Sequence, residues 1–71
     1  MGDLDDIVDR LRSISEDLSD RAIRILSDAA AAGEHQRPES ERTITQARRA
    51  VEKAIALLER VDRLDDADLD D

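Results

Sequence analysis

The sequence predicts an all-α fold, an antiparallel two-helix hairpin that pairs with a second copy into a four-helix bundle. Three observations carry this expectation. Apolar residues recur every three or four positions through two long stretches, with no strand-like alternation. A single break, at residues 33–38 (GEHQRP), separates the two stretches. The 71 residues include no Cys and no aromatic side chain, so any core is a thin seam of Leu, Ile, Val and Ala, which suits helix packed on helix.

The first helix is placed at about residues 4–32. Its apolar positions are Leu4, Ile7, Leu11, Ile14, Leu18, Ala22, Ile25 and Ala29, with Val8 and Leu26 on one flank. Ile7, Leu18 and Ala29 are spaced eleven apart, a period that favours a straight or slightly right-handed path. The loop is placed at about 33–37. Gly ends a helix at no steric cost, and Pro38 suits the first turn of the next. The second helix is placed at about 38–64. Ile44, Ala47, Val51, Ala54, Leu58 and Val61 form a heptad seam, beside which Ala50, Leu57 and Leu64 repeat every seven residues and Ile55 lies on the other flank. The core and dimer seam is thus expected from Ile7, Leu11, Ile14, Leu18, Ile25, Ile44, Val51, Leu58 and Val61. A connection this short makes the helices antiparallel neighbours. Acid-first pairs four residues apart, Asp6–Arg10, Asp17–Arg21, Asp20–Arg24 and Glu59–Arg63, support both helices.

A chain of this size is marginal as a lone domain. Without Cys there are no disulfides or thiolate metal sites, and the single His cannot make a zinc site, so oligomerisation is the remaining device. Both apolar stripes are wider than one partner helix can cover, which leads to the expected homodimer.

The net charge of -8 is uneven. Residues 1–9 carry -4, residues 65–71 carry -5, and the body between them carries +1. An antiparallel hairpin brings the two acidic segments to one end. Negative charge opposes the dipole at the end of the second helix, so residues 65–71 are expected to form a frayed acidic tail. The acidic end (Asp3, Asp5, Asp6, Asp65, Asp66, Asp68) is the candidate surface for a protein partner. The segment Asp66-Ala-Asp68-Leu-Asp70 has the spacing of half a calcium loop but lacks its Gly and its closing Glu. A basic stripe on the second helix, Arg42, Arg49, Lys53 and Arg60, is the candidate for a nucleic-acid backbone, against which stand the net acidity and the absence of stacking side chains. Ile23, with Leu26 and Ala30, is a candidate edge for contacts. His35 is expected in the exposed loop, with no nucleophile or pocket to work with.

The expected function is that of a non-enzymatic protein-interaction module, an adaptor, inhibitor or antitoxin-like regulator, with a dimeric nucleic-acid-binding regulator as the alternative. No cofactor, metal, membrane or small-molecule substrate is expected. No apolar run approaches the roughly 20 residues of a membrane span and no signal peptide is evident, so the expected location is the cytoplasm.

Overall fold

The computed structural model describes residues 4–69, and the side chains among them except those of Asp62 and residues 65–69. Two helices, α1 (Asp5–Ala31) and α2 (Glu39–Leu69), pack against each other as a hairpin. The Cα atoms extend 61 × 17 × 10 Å, a strip two helices wide and one helix thick. No helix among the described residues is long and apolar enough to cross a membrane.

The chain turns where its backbone chemistry directs. Gly33 takes φ +81°, the left-handed conformation that side-chain-bearing residues avoid. Its N–H bonds the Ala30 carbonyl at 3.0 Å, and the next N–H, of Glu34, reaches back to Ala29 at 3.0 Å. These two bonds form a Schellman cap, which satisfies carbonyls that the end of α1 would otherwise leave open. At the start of α2 the Arg42 N–H bonds the Pro38 carbonyl at 3.2 Å. Glu39 and Glu41 stand in the first turn, where the helix dipole favours acids. Asp5 and Asp6 do the same for α1, whose first turn has no side-chain cap.

α2 runs to Leu69, five residues past the end at 64 that the sequence suggested, so the backbone of residues 65–69 is helical. No Gly or Pro occurs between residues 39 and 69 to stop it. Asp70 and Asp71 lie outside the described residues.

The seam between the helices of one hairpin takes up only part of the expected core and dimer seam. On α1 and its N-cap the residues turned inward are Leu4, Val8, Leu11, Ser15, Leu18, Ala22, Ile25 and Ala29, all buried or half-buried. Their steps alternate between four and three, a seven-residue repeat rather than the eleven-residue one. On α2 they are Glu41, Ile44, Arg48, Val51, Ile55 and Leu58. Six of the nine expected seam residues, Leu11, Leu18, Ile25, Ile44, Val51 and Leu58, are half-buried here. The other three, Ile7, Ile14 and Val61, are exposed. Val8 and Ile55, which the sequence put on flanks, are the most buried large apolar side chains, Ile55 at 5% exposure. Each apolar stripe is wider than the contact, and only one edge of it faces the neighbouring helix.

Candidate functional site

The open end of the hairpin joins the start of α1 to the late part of α2. Asp5, Val8, Asp9 and Arg12 from α1 and Glu59 and Arg63 from α2 line one open groove there. Arg12 Nη2 donates to Glu59 Oε2 at 2.7 Å, an interhelical ion pair with both side chains about half exposed. Such a pair contributes about 0.2–1 kcal/mol and links the groove edges of the two helices. Glu59 therefore serves α1 rather than Arg63, the partner its spacing suggested. Among the described residues the other ion pairs are Asp6 with Arg10, as expected, and Arg37 with Glu41; the expected pairs Asp17–Arg21 and Asp20–Arg24 do not form.

Of the six residues expected to make the acidic end, Asp5 and Asp6 are exposed in the first turn of α1. Asp5 enters the groove, while Asp6 is engaged by Arg10. Asp3 lies outside the described residues, as do the side chains of Asp65, Asp66 and Asp68, although α2 carries the last three positions on its final turns. Asp9, in the acidic segment 1–9 but not among those six, also lines the groove. Its placement follows from being four residues after Asp5, one turn along the same face.

The opposite side of the strip has a different chemistry. Ile7, Ile14 and Val61 each follow Asp5, Arg12 and Glu59 by two residues, a turn of about 200°. They therefore face away from the groove. Leu57, two residues before Glu59, and Leu64, seven beyond Leu57, lie on that side too. The exposures are high for such residues, 45% for Ile14, 49% for Leu57 and 55% for Leu64. In its open half the hairpin is thus amphipathic as a layer, with charged residues on one broad face and apolar residues on the other.

Arg42, Arg49, Lys53 and Arg60 are all exposed on α2, as their spacing indicated. Ile23 is exposed, and Leu26 borders a shallow groove with Ala29, Ala30 and the loop; neither belongs to the apolar face. His35 is exposed in the loop. Among the described residues no group of three His, Cys, Asp or Glu side chains is placed to hold a metal ion.

A second polar cluster ties the loop to α2. Glu41 is only 3% exposed. Its Oε2 accepts from Arg37 Nε at 2.7 Å and lies 2.6 Å from Arg37 Nη2, and its Oε1 accepts from the Thr45 hydroxyl at 2.8 Å. Burial works to raise the Glu41 pKa. The Thr45 hydroxyl, the Arg37 guanidinium and the charge of Arg42 outweigh it and hold the carboxyl below its ordinary value. The four-residue steps 37, 41 and 45 were visible in the sequence, but a Glu at helical spacing from an Arg gives no sign of burial. No buried side-chain nitrogen or oxygen among the described residues lacks a partner.

The chain matches no protein-family model, and neither a curated protein nor a solved structure matches it.

Proposed function

We propose that this chain is a non-enzymatic protein-interaction module, a homodimeric four-helix bundle whose acidic ends dock a basic protein surface. The apolar face carries the reading. Ile7, Ile14, Leu57, Val61 and Leu64 stand together on one side of a layer only one helix thick. Fully covering a side chain of this size stabilises by about 1.5–3 kcal/mol, so a second hairpin laid on this face supplies what a thin seam cannot. The hairpin alone buries only Val8, Ala22 and Ile55 among its described apolar residues.

The acidic end supports the partner. Asp5 and Asp9 share their groove with two cations, and Arg12 is already engaged by Glu59. The remaining charge there is negative, and clustered charge of one sign steers an oppositely charged surface towards it. The contribution is to association rate and selectivity more than to affinity.

Affinity capture from the native lysate tests the partner. The chain is compared with a variant carrying Asn at Asp5, Asp6, Asp65, Asp66 and Asp68, after sedimentation has shown that both have the same mass in solution. A protein held by the first and lost by the second is the expected result. Retention of nucleic acid that depends on Arg42, Arg49, Lys53 and Arg60 instead overturns the reading in favour of a nucleic-acid regulator.

A further inference from the structure

We infer that the second copy lies on the apolar face in the opposite direction, the loop end of each hairpin covering the open end of the other. This rests on the dimer proposed above and adds its direction. Two independent gradients along the strip point to it.

The first gradient is side-chain volume. In the open half the exposed apolar face offers Ile7, Ile14, Leu57, Val61 and Leu64. Towards the loop it offers Ala47 and Ala50 on α2, with half-buried Ala54 at its edge. On α1 the row that begins Ile7 and Ile14 continues, seven residues at a time, with Arg21 and Asp28. Laid in the same direction, two such faces would crowd bulk against bulk at one end and face Ala against Ala at the other. The helices would then splay, because interhelical distance follows the size of the side chains between them. Laid in opposite directions, Leu57, Val61 and Leu64 on α2 meet Ala47, Ala50 and Ala54 on the α2 of the second copy, and the spacing there stays even.

The second gradient is charge. Residues 21–50, the loop half, carry six Arg against four acids, a net of +2. The rest of the described chain, residues 4–20 and 51–69, carries twelve acids against five bases, a net of -7. The same-direction dimer places two -7 halves side by side, within roughly the 10 Å Debye length of 0.1 M salt. The opposed dimer places each -7 half beside a +2 half. Apolar packing and electrostatics thus select the same arrangement, with a two-fold axis crossing the strip near its middle.

The chain has no Cys, so single labels can be placed without other changes. Nitroxides are introduced at Gln36→Cys, exposed in the loop, and separately at Ala56→Cys, exposed on the polar side of α2 near the centre of the apolar stretch. Distances between the two labels of a dimer are read by double electron–electron resonance. The Ala56→Cys label reports association in either direction, with a separation of about 20–30 Å expected for helix layers packed 8–10 Å apart. For the Gln36→Cys label, about 18 residues from the middle of the apolar face, the opposed arrangement gives about 50–60 Å at 1.5 Å per residue. A short distance at both sites means a same-direction dimer, which overturns the inference and leaves the dimer standing. No distance at either site means no dimer, and both readings fall.

Discussion

Glu41 is an acid almost wholly covered, held by one guanidinium, one hydroxyl and a neighbouring Arg charge. Because its folded-state pKa lies below the ordinary 4.5, its charged form favours the folded chain. That contribution is complete above about pH 4.5 and is lost as the pH falls through the lower, folded value. Glu41→Gln keeps the shape but removes the charge. The melting temperature of the variant is therefore expected to lie below that of the unaltered chain at pH 7, and the gap to close as the pH is lowered below 4.5. A gap independent of pH would mean that the carboxylate charge contributes nothing there. Spacing made the contacts of Glu41 with Arg37 and Thr45 legible, but its burial was not. Burial depends on what packs over that side of α2, which the spacing of residues along α2 does not encode.

At the scale of the elements, the turn is the part most directly written in the chain. Gly33 is placed where α1 must end, and the structure puts it at φ +81° with open space around the position a Cβ would occupy. Gly33→Ala therefore costs only the left-handed backbone, on the order of 1 kcal/mol, with no clash added. Chemical denaturation of the two proteins is expected to show that loss at an unchanged m-value, and Gly33→Asn should lose less, since Asn tolerates this conformation better. The helix limits were legible to within one or two residues, except at the end of α2. There the opposing dipole suggested fraying after residue 64, whereas the helix continues through Leu69. A helix lacking a breaker continues at small cost per residue, and a charge–dipole term of about 0.3–1 kcal/mol is not enough to end it.

For the whole molecule, the proposed dimer ties stability to the apolar face. If the dimer is the folded state, its melting temperature rises with protein concentration, because association draws the chain towards the folded form. Calorimetry between 5 and 500 μM, on the order of the usual working range, tests this against the flat dependence of a monomer. Leu57→Glu sharpens the test. In an isolated hairpin Leu57 is 49% exposed, and a substitution at such a surface position shifts stability by about 0.5 kcal/mol or less. In the bundle it buries an unpaired carboxylate, and loss of the dimer by sedimentation is expected.

Sequence alone determined that there are two helices, where the chain turns, and that its acids gather at the two ends of the chain. Each follows from local rules: helical periodicity, the conformational freedom of Gly33, and the placement of charge along the chain. Only the tertiary structure decided which strip of each helix meets the other. Periodicity fixes the angles between residues on one helix but not how far that helix is rotated about its own axis against a neighbour. Here the rotation brings Val8 and Ile55 into the seam together with Ser15 and Glu41, two polar residues that no hydrophobic pattern would have placed inside. The same rotation leaves Ile7, Ile14 and Val61 outside the hairpin, on the face where a second copy is proposed to pack.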